Sequence, residues 1–305
     1  MKSRLAYVAL AMVSFFWGTT YLGIRVSLEG IAPFYLIAIR YVISGGVLLL
    51  AAAFAGMKLP RGRELGLTSV CGMICITIGN SALVYAELYI PSGLAALFYT
   101  TAPFWMVAVE ALLPRGTKPF ATTLGGLSIG VLGVAFLVYP AAVHEGFGGR
   151  TLPGFLLLQL SAAAWVTGAL LQKRVRTKAD PLVTGAVQQF AAGLVTFVPA
   201  ALFEKAPRHL ATRPTVALVY LIIIGSIVGY TAFIYAMTHL PAAMVSIYMF
   251  VNPVVAVFLG YVFFRGPFGH REALAMLIIF AGIAVVRWSE TTGRTSGLLG
   301  RPADC

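Results

Sequence analysis

The segment Tyr85-Ala86-Glu87-Leu88-Tyr89-Ile90-Pro91 returns 150 residues later as Tyr235-Ala236-Met237-Thr238-His239-Leu240-Pro241, with the tyrosine, alanine and proline in register. Pro103 and Pro253 follow at the same interval, and Arg115-Gly116 and Arg265-Gly266 close the two copies. Upstream, Trp17, Pro33 and Gly45 match Trp165, Pro181 and Gly193 at an interval of 148. Each copy contains five long apolar runs. A unit that crosses a membrane an odd number of times starts its second copy from the opposite face, so the halves lie upside down relative to each other. This is the inverted repeat of a secondary transporter, whose binding site is expected at the midplane where the copies meet.

Composition agrees. Hydrophobic residues make up 59% of the 305 positions and charged residues 10%, far below the ~25% charged of a soluble domain. The uncharged runs cover 5–24, 41–57, 65–86, 88–109, 119–143, 151–172, 181–203, 214–238, 240–264 and 273–286. The second extends back to Phe34 by tolerating Arg40, and the tenth to Phe268 by tolerating Arg271 and Glu272. Most reach the roughly 20 residues that a helix needs to cross hydrocarbon. They are apolar all round and lack the alternation of barrel strands. The expected fold is an all-α membrane protein of ten transmembrane helices in two inverted five-helix repeats, 1–146 and 147–288, followed by a disordered cytoplasmic tail, 289–305. Lys2 and Arg4 before an apolar run could open a signal peptide, but Trp17 and the absence of a small-residue cleavage site before Arg25-Val26-Ser27 favour an anchored first helix.

Fourteen Lys and Arg, from Lys2 and Arg4 to Arg294 and Arg301, fall on the N-terminal side of the spans. Seven fall on the other: Arg25, Arg150, Lys205, Arg208, Arg213, Arg265 and Arg271. The positive-inside rule then places both termini in the cytoplasm and the protein in the plasma membrane, the bacterial inner membrane. The net charge of +12 is mostly this topology signal. No basic stripe interleaved with exposed aromatics stands outside the spans, so no nucleic-acid partner is expected. The expected partners are the lipid bilayer and a small-molecule substrate, and a monomer is compatible with both. Cys71 and Cys75, four apart on one helix, are badly placed for a disulfide and have no His or carboxylate nearby to complete a metal site. No metal or cofactor is expected.

Phe16-Trp17-Gly18-Thr19, Arg40, the run from Tyr85-Ala86 through Ala95-Ala96 to Pro103, and Gly126 to Gly133-Val134 together resemble the EamA-type drug/metabolite transporters. Among these, the chain resembles the YddG-type exporters of amino acids and related metabolites. The resemblance covers 5–288 and implies the ten-helix inverted-repeat fold and metabolite export. One departure is plain: the glutamate that such families carry after the fourth and ninth spans is replaced by Arg115-Gly116-Thr117 and Arg265-Gly266-Pro267.

Transport needs a water-accessible cavity with a few polar and aromatic groups. Trp17 and Trp165, repeat mates deep in their spans, are candidate walls, and a packed aromatic is the other reading. Tyr99 and Tyr248 stand similarly in the fourth and ninth spans. Asn80 and Tyr230, which follow Gly79 and Gly229, must face protein or water; interhelical hydrogen bonding and substrate contact are both open. The candidate substrate-binding set is therefore Trp17, Asn80, Tyr99, Trp165, Tyr230 and Tyr248. Gln159, Gln188, Gln189 and Asn252 read first as links between helices. Gly126, Gly130 and Gly133 read as packing positions. Arg40 could hold a substrate carboxylate, but a structural role, snorkelling outward or bonding to carbonyls, fits a position about two turns from the helix end better.

Glu110 is the acid set well inside a span, whereas Glu29 and Glu87 read as loop or helix-end residues. Proton and sodium coupling lean on intramembrane acids or histidines, and no phosphate-cradling loop for ATP is present. Facilitated diffusion is the simplest mechanism. Proton antiport through Glu110 or His239 is the alternative, as is a sugar or nucleotide-sugar substrate, which would want several cavity cations. A membrane enzyme is disfavoured because His144, His209, His239 and His270 are scattered and no nucleophile and base pair is evident. A scaffold has no need of an inverted repeat.

Overall fold

A computed structural model describes residues 2–113, 121–144, 149–175, 177–207, 211–240, 245, 248–264 and 269–299. Helix α1 (Lys2–Ser27) is followed by α2 (Pro33–Phe54) and then by α3 (Arg63–Gly72), a π-helix π1 (Met73–Asn80) and α4 (Ser81–Ala86) in one continuous rod. Next come α5 (Ser92–Tyr99), α6 (Ala102–Leu112) and α7 (Ala121–His144). The order then repeats. Helices α8 (Thr151–Arg174) and α9 (Pro181–Phe203) precede a second rod of α10 (Thr212–Tyr220), π2 (Leu221–Val228) and α11 (Gly229–His239). After it come α12 (Tyr248–Phe264) and α13 (His270–Leu299). The described residues contain no strand. Both π-helices sit at the same place in their copies, 148 residues apart.

Seven helical stretches are long and apolar enough to cross a membrane: Arg4–Ser27, Pro33–Phe54, Arg63–Ala86, Ser92–Leu112, Thr151–Arg174, Pro181–Phe203 and Thr212–Ala236. Shorter apolar stretches at Leu124–Gly133, Val251–Phe263 and Ala273–Gly282 stand in three further expected spans. Pro241, Arg115-Gly116 and Arg265-Gly266 lie outside the described residues. Helix α13 runs on to Leu299, past the boundary at 288 where a disordered tail was expected, and no proline interrupts the sequence before Pro302. The fourth expected span is divided at Thr100 and Thr101. Pro103 has no N–H to continue the ladder, and the two threonine hydroxyls donate instead to Leu97 O at 2.6 Å and Phe98 O at 2.8 Å.

Polar side chains share the interior with apolar ones, and large apolar side chains also cover the outside. Arg40, Ser44, Gln188, Gln189 and Thr196 are buried, while Phe54, Leu202 and Phe203 are 91%, 71% and 77% exposed. A bundle that leaves such apolar side chains on its outside and keeps these polar ones inside is suited to hydrocarbon surroundings. Cys71 and Cys75 are buried and free.

Helix α2 packs along α9, and α7 along α13; α1 meets α10, π2, α11 and α12, while α8 meets α3, π1, α4, α5 and α6. Each of these contacts has its counterpart when the two halves are exchanged. At the crossing of α2 and α9 the backbones touch. A methyl at Gly45 would stand 2.4 Å from Phe190 N, and one at its repeat mate Gly193 would stand 2.5 Å from Val42 N. Gly133 and Gly282 serve the contact of α7 with α13 in the same way.

The helix ends are tied across the halves. Pro33 and Pro181 both start their helices at N1, where a missing N–H costs nothing. Asp180 caps α9 by accepting from Leu182 N at 2.8 Å. Helix α2 has no such cap of its own. Glu204, at the end of α9, supplies it by accepting from Phe34 N at 2.8 Å and Tyr35 N at 3.1 Å, with the Tyr85 hydroxyl donating to the same carboxylate. The orphan N–H groups of a helix start and its dipole both favour a carboxylate there. At the other end of the bundle Glu64 accepts from Thr177 Oγ1 and from Lys178 N at 2.9 Å.

Glu87 stands at a helix end, as the sequence reads, but it is buried there. It directly follows α4 and is 0% exposed, with neither carboxylate oxygen hydrogen-bonded. The Arg25 guanidinium donates to its main-chain carbonyl, not to the carboxylate. Burial pushes this carboxyl well above the usual carboxylate range, and nearby Arg25 offsets only part of the effect.

Two measurements check these constraints. Gly45→Ala or Gly193→Ala should cost roughly 1–3 kcal/mol of stability, because the obstructing atoms are backbone. Thermal unfolding in nanodiscs would show this, and the double variant should fall short of the sum because both changes open one seam. For Glu87 the folded state holds a proton that the unfolded state releases, so wild-type stability should decline as pH rises above about 4.3, the ordinary glutamate pKa. Glu87→Gln should remove that decline and melt higher than wild type at neutral pH, with the gap closing in acid. An unchanged pH profile in Glu87→Gln would contradict the burial argument.

Candidate functional site

Where the two halves meet, a cavity encloses about 720 Å³, part of it open to solvent. Trp17, Asn80, Tyr99, Trp165, Tyr230 and Tyr248 all line it. The structure thus brings the six sequence-derived candidates to one place, three from each half.

The tryptophans form the centre of an aromatic box. Their rings meet edge to face at 5.7 Å between centroids, and Trp17 also lies 5.2 Å from Tyr248 and 5.0 Å from Phe233. A buried indole N–H needs a partner; Trp17 Nε1 donates to Gly225 O at 3.1 Å. That acceptor lies in π2, where i→i+5 geometry reshapes the carbonyl ladder.

The polar candidates have partners too. Asn80 Nδ2 donates to the Tyr41 hydroxyl at 2.8 Å. The Tyr230 hydroxyl donates to Gln188 Oε1, and Gln188 Nε2 donates to Gln172 Oε1 at 2.9 Å. The Tyr230 ring therefore faces the cavity while its hydroxyl joins α11 to α9. Gln159 Oε1 accepts from Trp105 Nε1 and Thr101 Oγ1, and Gln189 Oε1 accepts from Ser44 Oγ. These glutamines are the helix links that the sequence predicts. Asn252 lines the cavity, and with its Nδ2 turned inward it donates to Ser14 O at 2.7 Å and Tyr248 O at 3.1 Å.

Several lining residues were missed by sequence reasoning, although helical spacing carries the signal. Thr20, Tyr21 and Ile24 stand three, four and seven residues after Trp17, on one face of α1. Leu83 follows Asn80 by one turn, and Ala96 precedes Tyr99 by one. Arg40 differs most from expectation. It neither snorkels outward nor bonds to carbonyls, but lines the cavity with Tyr41, 4% exposed.

Among the described residues, no acid or histidine lines the cavity. Glu110 lies apart from the cavity, 3.6 Å from the Arg174 guanidinium. His239 is exposed, stacked on Tyr235, with Nδ1 2.9 Å from the Tyr235 carbonyl. The described residues hold no cluster of His, Cys, Asp or Glu that could bind a metal.

Comparison with known proteins bears on the family and the fold. Over 281 residues the chain is 29% identical to the "Uncharacterized inner membrane transporter YedA" of Escherichia coli K12, covering 91% of this chain and 89% of that one. It is 27% identical over 267 residues to the "Probable terminal-alkyne amino-acid exporter" of Streptantibioticus cattleyicolor, covering 86% of each. A protein of known crystal structure superposes with a TM-score of 0.68 at 21% identity, over 92% of this chain and 95% of that one, and so shares the fold. The EamA-like transporter family matches the sequence twice, at residues 4–139 and 152–288, one match on each side of the cavity, and the chain belongs to that family.

Proposed function

We propose that this protein exports small neutral, zwitterionic or aromatic metabolites, amino acids and related compounds among them, by alternating access. In this reading ten transmembrane helices form two inverted five-helix repeats, 1–146 and 147–288, with both termini in the cytoplasm. One observation carries the reading: repeat-related residues from both halves, Trp17 with Trp165 foremost, converge on one aromatic cavity. The exchangeable contacts of the helices and the paired π-helices support the repeat. The amino-acid exporter among the relatives supports the substrate class.

The substrate's own gradient is the driving force in this reading, because the described residues of the cavity wall include neither acid nor histidine. Proton antiport is the second reading, and buried Glu87 is the observation that favours it. A sugar phosphate or nucleotide sugar fits less well, since Arg40 is the one Lys or Arg in the lining.

Reconstituted protein in sealed liposomes tests both points. Radiolabelled L-phenylalanine should equilibrate down its own gradient and not accumulate above it under an imposed proton or sodium gradient. Concentrative uptake under a pH gradient, lost in Glu87→Gln or Glu110→Gln, would establish antiport instead. Trp165→Ala and Asn80→Ala should lower flux roughly fivefold to tenfold, the equivalent of about 1 kcal/mol per lost contact. If these variants fold and transport at the wild-type rate, the cavity is a packing defect and not the substrate path.

A further inference from the structure

Arg40 brings a full positive charge into the bundle with no acid to balance it. It pairs with no carboxylate among the described residues. Its Nε donates to Ser226 Oγ at 2.7 Å, and its Cζ lies 4.9 Å from the Tyr41 ring centroid. The Nη nitrogens donate no hydrogen bond to described residues, nor are they sealed from the cavity that Arg40 lines. Space has been left for them: a methyl at Gly225 would stand 2.8 Å from Nη2.

Desolvating a guanidinium without an anion is costly, because an unpaired buried charge keeps the penalty and gains no Coulomb attraction. Tyr41 recovers a small part of that through its ring face. The remaining N–H donors form a planar fork whose natural complement is a carboxylate held by two parallel bonds. Asn80 supplies the opposite chemistry nearby. Its Nδ2 is taken by Tyr41, while its Oδ1 accepts no hydrogen bond among the described residues.

We propose that Arg40 binds the carboxylate of the transported molecule, and that Asn80 Oδ1 accepts from its ammonium group where it has one. The site then selects carboxylic acids whose apolar or aromatic tails enter the box of Trp17, Trp165 and Tyr248. This rests on the cavity being the substrate site, as proposed above, and narrows its substrates to those that bring the missing anion. A structural role for Arg40 would need the link from α2 to π2 through Ser226, but not the free Nη face.

The test uses the intact protein in nanodiscs and four probes with the same ring: L-phenylalanine, 3-phenylpropionate, L-phenylalaninamide and 2-phenylethylamine. Binding is read by calorimetry. The two acids should bind wild type roughly tenfold to a hundredfold more tightly than the amide and the amine, the range of a hydrogen bond to a charged group. Arg40→Gln should bring that ratio toward one, and Arg40→Lys, which keeps the charge but not the fork, should leave it in between. Ser226→Ala should keep the preference for acids, whereas a purely structural Arg40 predicts that Ser226→Ala and Arg40→Gln behave alike. Equal binding of acids and amide by wild type overturns the inference and leaves the transport reading standing; this comparison needs no variant to fold. Failure of all four probes to bind overturns that reading and the inference with it.

Discussion

The direct backbone contact of α2 and α9 is the constraint on which the rest depends. Lipid tails are as apolar as leucine, so helices in hydrocarbon gain nothing by burying leucine and associate through close packing and polar links. Gly45 and Gly193 remove the side chains that would hold the two helices apart. The closeness they allow brings Ser44 to Gln189 at 2.6 Å, with Arg40 one turn before Ser44 lining the cavity and Gln188 within reach of the Tyr230 hydroxyl. One crossing therefore carries the seam between the halves and the helix from which Arg40 reaches the cavity.

The π-helices answer a related need. A rod of twenty or so residues with regular i→i+4 bonds keeps its carbonyls within its own ladder. A π segment releases some of that order without breaking the rod. In π2 the Gly225 carbonyl accepts the Trp17 indole, and the absent side chain at the same residue admits the Arg40 guanidinium. Helix α1 and helix α2 are thereby held against one turn of the second rod. In π1 the matching service goes to α8: Cys75 Sγ donates to Trp165 O at 3.4 Å, and Gly79 lies close to the Ser161 and Trp165 backbone.

Much of this was legible in the sequence because scaffold positions are duplicated. Prolines that start helices, glycines at crossings and the paired tryptophans stand at fixed intervals, and an interval can be read without knowing what the residue touches. The six candidate side chains came from asking which polar and aromatic groups lie deep in apolar runs, and depth along a helix is also a one-dimensional property. Glu87 and Arg40 could not be placed this way. Glu87 stands at a helix end, as read, but its burial arises only when the chain folds and brings distant groups, Arg25 among them, beside it. The direction of Arg40 depends on room at Gly225, a residue 185 positions away.

Duplication also stops where chemistry begins. At an interval of 148 the mate of Arg40 is Gln188, and the mate of Tyr41 is Gln189. On α2 the pair presents a cation and a ring to the cavity; on α9 the pair is absorbed in amide links to Tyr230, Gln172 and Ser44. In the proposed alternating-access reading, a scaffold that opens to its two ends in turn gains from having its moving parts alike. A small molecule with an acidic end and an apolar end has no such symmetry. A cavity that repeated Arg40 would place two like charges across a narrow, poorly solvated space, each raising the cost of the other. Replacing one of them with an amide that bonds within the protein leaves a single charged anchor and lets the aromatic walls, which carry no net charge, remain paired.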